Sequence, residues 1–120
     1  MVGANGIVKL CDFGDVKELS PGSVGETYTG TANYLAPERL GGKDHSKPAD
    51  IWSVGISLLE IRLAKHPDII VMEDLFELIE SRVSSAMVDF LKLCLENEAQ
   101  KRWSADNLLV SQYVLSKTLN

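Results

Sequence analysis

Asp12-Phe13-Gly14 and Ala36-Pro37-Glu38 are the two short stretches that decide the fold of this chain. The segment between them is rich in glycine and hydroxyl residues and shows no sustained period of 2 or 3.6 residues. Such a composition is typical of a loop, because glycine and short polar residues favour turns over regular structure. Loops of this length are usually functional or disordered. The composition therefore predicts a long loop between the two stretches, which is either functional or disordered.

The residues before Asp12 form a short run that favours β-structure. Gly6 marks a turn, and Ile7-Val8-Lys9-Leu10-Cys11 follows it with β-branched and apolar side chains. We expect a short strand here, or a hairpin in which this run pairs with Met1-Val2.

The residues after Glu38 predict helices. In residues 48–64 apolar side chains recur almost all round a helix, which is the pattern of a helix buried on most sides. Apolar spacing predicts further helices over residues 73–82, 85–96 and 104–112, with Ser104 as a cap of the last one, and residues 114–120 as a tail. The expected fold is therefore mainly α.

Composition excludes several classes of function. The 120 residues are 45% hydrophobic and carry a formal net charge of -5, with no run of Lys or Arg longer than two. Such a charge pattern argues against nucleic acid and anionic lipid as partners, and from the sequence we expect neither a membrane span nor a secretory signal. Cys11 and Cys94 lie far apart without a CxxC motif, which favours a reducing, cytoplasmic location.

Four ordered anchors together resemble the C-terminal lobe of a protein kinase. They are the two opening stretches, then Asp50-Ile51-Trp52-Ser53-Val54-Gly55, and finally residues 97–102. The resemblance implies a partial protein-kinase fold over residues 1–113, with an activation segment at residues 12–38. It also implies ATP and Mg²⁺ as cofactors of the complete kinase, because protein kinases transfer the γ-phosphate of ATP to protein hydroxyls. We expect this chain alone to bind neither of them.

The resemblance assigns roles to individual residues. Asp12 would bind the Mg²⁺ that bridges the ATP phosphates, while Thr31 and Tyr34 lie in the loop where the family docks its substrate. The structural roles fall on Phe13 and Gly14 beside Asp12, on Asp50 as an acceptor of backbone amides, and on Glu38 and Arg102 as a buried ion pair. The plain alternatives are a strand-ending aspartate with a turn glycine, a carboxylate in a first helical turn, and two solvated charges.

Within the family, residues 27–40 look most like the MAP kinase kinases. In that group two hydroxyl residues of the loop are phosphorylated, and counting back from Thr31 places them at Ser23 and Thr27. The partners that the resemblance implies are an upstream activating kinase and a protein substrate such as a MAP kinase. The alternative is a solvated polar loop without modification.

The eleven residues before Asp12 are too few for the glycine-rich loop, the phosphate-positioning lysine and the catalytic Asp and Asn. We therefore expect no kinase activity from the chain alone, and an apolar patch on the helix over residues 48–64. Three hypotheses stay open: a segment of a complete kinase with the missing motifs upstream in frame, a noncatalytic pseudokinase-like module that binds a protein partner, and a truncated product without function.

Overall fold

The structure is a computed structural model that describes residues 1–15, 32–40, 46–64 and 72–118. Within these residues the chain is mainly helical, and residues 16–31 of the loop predicted from the sequence lie outside them. The described helices are α1 (Pro37–Leu40), α2 (Lys47–Leu63), α3 (Met72–Glu80), α4 (Ser85–Cys94), α5 (Ala105–Leu109) and α6 (Gln112–Thr118).

The longest helix is α2, and it buries one face rather than most of its circumference. Pro48 lies in its first turn, where a missing N–H costs nothing, and the left-handed Ala64 ends it. The buried face consists of Ala49, Trp52, Gly55, Ile56 and Leu59. Val54 and Ile61 are 45% and 75% exposed. Among the described residues no other element covers that side of the helix, so burial on most sides does not occur there, and the apolar patch expected on this helix is present.

The core lies where α2, α3 and α4 meet. Ile56 and Leu59 of α2 are fully buried, as are Ile79 of α3 and Leu91 and Cys94 of α4. Ser84 begins α4, because its side-chain oxygen accepts a hydrogen bond from the backbone N–H of Met87 at 3.4 Å. This core is the platform on which the candidate site rests.

The C-terminal region contains two helices where the sequence predicted one. Ser104 caps α5, as expected, by accepting from the N–H of Asn107 at 3.3 Å. The buried Ser111 then accepts from the N–H of Val114 at 3.4 Å and starts α6. Residues 114–118 therefore belong to a helix rather than to a tail, and the ring of Tyr113 packs 5.2 Å from that of Phe90.

The N-terminal residues reverse direction without forming a strand. Met1 and Lys9 exchange two backbone hydrogen bonds of 2.9 Å, and Val2 and Val8 form an isolated antiparallel bridge. Gly6 adopts a φ of 77° in the turn, a conformation that glycine reaches without steric cost. The expected pairing partner is therefore correct, but the strand itself is absent from the described residues. These residues supply no third strand or underlying core, which two-stranded pairs need for stability.

Candidate functional site

Asp12 lies at the exit of the N-terminal turn with its side chain exposed to solvent. Its φ of 64° places it in the left-handed region, which aspartate tolerates better than most residues, and a 3-10 turn over Phe13–Asp15 follows. Phe13 is 64% exposed and does not belong to the described core. A Cβ built on Gly14 would lie 3.7 Å from Asp12 Oδ1, so the Asp12 carboxylate lies close to Gly14.

One exposed carboxylate suits a Mg²⁺ ion that nucleotide phosphates help to hold. Mg²⁺ at phosphate-transfer sites uses one or two protein carboxylates, with phosphate oxygens and water completing the octahedron. Among the described residues, no group of three or more His, Cys, Asp or Glu side chains is placed to hold a metal ion. The donors therefore fit a metal shared with a nucleotide, and do not fit a metal site built by the described residues alone.

Tyr34 is attached to α2 at both its backbone and its phenol. It ends a 3-10 turn over Ala32–Tyr34, and its hydroxyl donates a hydrogen bond to Glu60 Oε2. The Ser53 hydroxyl donates to the Tyr34 carbonyl oxygen at 2.9 Å. The hydrogen bond to Glu60 raises the pKa of the Tyr34 phenol, because ionisation would break this bond and place two negative charges together.

Sequence reasoning missed both partners of Tyr34. Ser53, Ser57 and Glu60 recur at intervals of four and three residues, which places them on one stripe of α2. A polar stripe in an otherwise apolar helix was the available signal. It indicates that a polar segment packs there, but it does not identify the segment.

Glu38 and Arg102 form a buried, two-pronged ion pair. Arg102 Nη1 and Nη2 lie 2.7 and 3.0 Å from the two carboxylate oxygens of Glu38. The side chain of Arg102 is 0% exposed and that of Glu38 is 9% exposed. Arg102 also donates to the carbonyl oxygens of Pro48 and Glu96, each at 2.8 Å. Such parallel bonds are the strong form of an Arg–carboxylate contact.

The guanidinium of Arg102 also lies over the ring of Trp52, 5.1 Å from its centroid. Arg102 therefore joins three parts of the chain: α1 through Glu38, the start of α2 through Pro48 and Trp52, and the turn before α5 through Glu96. A planar, permanently charged side chain suits this position, because it can stack on the Trp52 ring and donate two parallel hydrogen bonds to Glu38 at the same time.

Among the described residues, the predicted site residues Asp12 and Asp50 are separate from this group. Asp50 is exposed in the first turn of α2, where a carboxylate interacts favourably with the helix dipole. In the part of the chain that the structure describes, neither Asp50 nor Asp12 has a hydrogen bond to Tyr34, Glu38 or Arg102. Ser23, Thr27 and Thr31 lie outside the described residues.

The protein kinase domain family matches residues 1–114 of the chain. This match covers most of the chain, and the chain belongs to the protein kinase domain family. The resemblance to a protein kinase drawn from the four sequence anchors is thereby confirmed. In the described residues no helix is long and apolar enough to cross a bilayer.

Its relatives include MAP kinase kinases from several organisms. The chain is 45% identical over 67 residues to the MAP kinase kinase MKK1/SSP32 of Saccharomyces cerevisiae, covering 56% of this chain and 13% of that protein. It is 43% identical over 67 residues to the dual specificity mitogen-activated protein kinase kinase mek-2 of Caenorhabditis elegans, covering 56% of this chain and 17% of that protein.

A longer alignment joins the chain to the mitogen-activated protein kinase kinase kinase 18 of Arabidopsis thaliana. The two are 34% identical over 131 residues, which cover 98% of this chain and 38% of that kinase. The chain thus spans well under half the length of these relatives. ATP and Mg²⁺ are the cofactors that the family implies for a full protein kinase.

Proposed function

We propose that this chain forms the metal-binding and substrate-docking part of an ATP-dependent protein kinase of the MAP kinase kinase type. The observation that carries the proposal is the buried Glu38–Arg102 ion pair, which attaches the segment after the loop to the helical core. A segment held in this way can keep a peptide in a constant position during phosphate transfer. The family match over residues 1–114 supports the same reading.

Asp12 would hold Mg²⁺ in the complete kinase. Bound Mg²⁺ neutralises charge on the β- and γ-phosphates of ATP as the phosphoryl group moves. Asp12 offers a carboxylate at the end of a short turn, and this carboxylate forms no competing hydrogen bond within the described residues. The carboxylate is exposed, and its Oδ1 lies 3.7 Å from the position that a Cβ would take on Gly14.

The remaining roles follow from the family. Thr31 and Tyr34 dock the protein substrate, and an upstream kinase phosphorylates Ser23 and Thr27. The acceptors are protein Ser, Thr or Tyr hydroxyls, with a MAP kinase as the substrate class that the names of the relatives support. We place this activity in the cytoplasm.

The chain alone would transfer no phosphate. Transfer requires a lysine that positions the phosphates, an aspartate that orients the acceptor hydroxyl and a second Mg²⁺ ligand. None of these kinase motifs occurs in the eleven residues before Asp12.

The test is a chimera of the Arabidopsis thaliana relative in which this chain replaces the aligned region. We expect the chimera to transfer phosphate from ATP to a general protein substrate such as casein. Asp12→Asn should reduce transfer by roughly a hundredfold, because it removes a metal ligand from the reacting phosphates. Asp106→Asn, an exposed position in α5, is the matched control and should leave transfer unchanged.

A folded chimera that transfers no phosphate, or that tolerates Asp12→Asn, would contradict the proposal. Reading the in-frame sequence upstream of the Met1 codon is an independent test. A catalytic Asp and Asn preceded by a lysine and a glycine-rich loop would support it. A stop codon with none of these motifs would exclude catalysis by this product.

A further inference from the structure

Two arginines lie where the end of α2 meets the turn between α3 and α4. Arg62, in the last turn of α2, donates from Nη2 to the backbone carbonyl oxygen of Arg82 at 2.9 Å. The two residues are 20 positions apart in the sequence, and both are exposed. The contact therefore places the Arg62 guanidinium beside the backbone of the residue that carries the second guanidinium.

Neither arginine has an acidic partner within the described residues. The ion pairs formed there are Lys92 with Glu80, Lys101 with Glu98 and Arg102 with Glu38. Acidic residues outnumber basic ones in this chain by 17 to 12, so acidic partners are not scarce. Two guanidinium groups beside one turn can bind a dianion together, because each offers several N–H donors in a planar fork.

Ser85 is the hydroxyl residue that this pair of arginines can serve. It is exposed, follows Arg82 by three residues and is the first residue of α4. Its hydroxyl forms no hydrogen bond within the described residues, whereas the Ser84 hydroxyl already accepts from the N–H of Met87. Three residues of chain span at most about 11 Å between Cα atoms, so a phosphate on Ser85 is within reach of the long Arg82 side chain.

We propose that Ser85 is a phosphorylation site, and that its phosphate binds Arg82 and Arg62 and thereby attaches the turn before α4 to the end of α2. The modifying kinase has an acidic peptide groove, because Arg82 supplies the complementary charge three residues before the acceptor. The Ser85 hydroxyl oxygen bonds to the γ-phosphorus of ATP as the bond from that phosphorus to the β–γ bridging oxygen breaks. ADP leaves, and the serine proton passes to a base of the modifying kinase.

The modification changes the charge and the order of the turn. A phosphate adds a charge of about −1.5 to −2 and three strong acceptor oxygens, and opposite a group of arginines it orders the segment that carries it. Residues 81–84 connect α3 to α4, and both helices contribute to the core. The phosphate therefore acts on this connection, and it leaves Asp12 and Tyr34 untouched.

The first measurement treats the 120-residue chain with ATP and the catalytic subunit of cAMP-dependent protein kinase, which selects acceptors preceded by arginine. Peptide mass spectrometry locates the phosphate. We expect phosphate on Ser85, and Ser85→Ala should abolish this signal. Arg82→Gln should slow incorporation about tenfold, because the charge that the acidic groove binds is lost.

Ser104 is the matched control within the same chain. It is exposed and follows Lys101 and Arg102 by three and two residues, but Arg102 is buried in its pair with Glu38. The folded chain should therefore be modified at Ser85 and not at Ser104. Absence of phosphate on Ser85 would overturn the proposal. Equal phosphate on both serines would overturn it too, since the substrate would then be an unfolded chain.

The second measurement compares amide hydrogen exchange in the phosphorylated and the unmodified chain. Phosphate on Ser85 should slow exchange in residues 81–85 about tenfold, because charge-assisted hydrogen bonds to the two arginines oppose opening of the turn. Arg62→Gln, which keeps Arg82 for recognition by the kinase, should remove most of this slowing. Arg62→Lys should retain part of it, and it supplies the second variant if Arg62→Gln fails to fold.

Lys92→Gln is the matched control for the exchange measurement. It removes a positive charge of α4 that pairs with Glu80 at 3.4 Å, and it should leave the slowing unchanged. Exchange that does not respond to phosphate on Ser85 would overturn the contact between the phosphate and the arginines. Equal slowing in the wild type and in Arg62→Gln would overturn the attachment of the turn to α2.

Discussion

Arg102 is the residue on which the largest number of separate contacts depends. It pairs with Glu38, donates to two backbone carbonyl oxygens at 2.8 Å and covers the ring of Trp52. Because its side chain is fully buried, a replacement that cannot make all of these contacts would leave buried polar groups without partners. Motif reasoning anticipated the ion pair with Glu38, but the carbonyl contacts and the stacking became visible only in the structure.

We expect Arg102→Lys to lower the free energy of unfolding by about 2 kcal/mol, although the charge is retained. A lysine cannot form the fork to Glu38 or stack in the same way on Trp52. Urea denaturation of the chain measures the change. Lys101→Ala removes the solvent-exposed pair with Glu98 and should change the free energy of unfolding far less than Arg102→Lys, so equal losses in the two variants would contradict the argument.

Cys94 makes the stability of the chain depend on pH in the alkaline range. Burial raises the pKa of its thiol to about 12, and the positive charge of Arg102 offsets part of this effect by lowering the pKa. The folded state therefore keeps a proton that the unfolded state loses above about pH 9, and stability falls as the pH rises through this range.

The test is the urea midpoint between pH 8 and 10. We expect a decline in the wild type and in Cys11→Ala, since Cys11 is exposed. Cys94→Ala should be less stable overall, but should show a smaller decline. If the urea midpoint declines equally with pH in all three proteins, Cys94 does not cause the decline.

At the scale of elements, the approach of α2 to α4 depends on Gly55. A Cβ built there would lie 2.8 Å from Cys94 Cβ and 2.7 Å from Leu95 Cδ2, which is closer than packed carbon atoms approach. Glycine is usually unfavourable inside a helix. Its presence in α2 is explained by the space that the neighbouring helix occupies.

Gly55→Ala should therefore destabilise the chain by up to about 2 kcal/mol. Overpacking costs about 1 to 3 kcal/mol, and the better helix propensity of alanine offsets about 1 kcal/mol of it. Chemical denaturation measures the result, with Val54→Ala on the exposed side of the same helix as the control. Stabilisation by Gly55→Ala would show that the two helices can separate without cost.

At the scale of the whole molecule, the described residues bury one face of α2 and leave apolar side chains on other surfaces. Val54 and Ile61 are exposed on α2, and Val2, Val8 and Phe13 are exposed near the N-terminus. Exposed apolar patches favour association in water. The relatives that share this domain are longer than the segment matched here.

We expect the combined variant Val54→Lys and Ile61→Lys to associate less than the wild type, with little change in the free energy of unfolding. Sedimentation velocity over a range of concentrations measures the association. Leu109→Lys combined with Val110→Lys adds the same charge at exposed apolar positions elsewhere. An equal effect of both pairs would mean that net charge, and not the face of α2, controls association.

The family and the order of helices followed from the sequence, because short motifs and apolar periodicity are local properties of the chain. The Asp12-Phe13-Gly14 and Ala36-Pro37-Glu38 stretches and the spacing in residues 48–64 carried that information. Only the tertiary structure decided that α2 buries one face, that Ser111 starts a separate helix and that Tyr34 pairs with Glu60. Tyr34 and Glu60 are 26 positions apart, so their contact depends on how the segment packs against α2 and leaves no periodic signal in the chain.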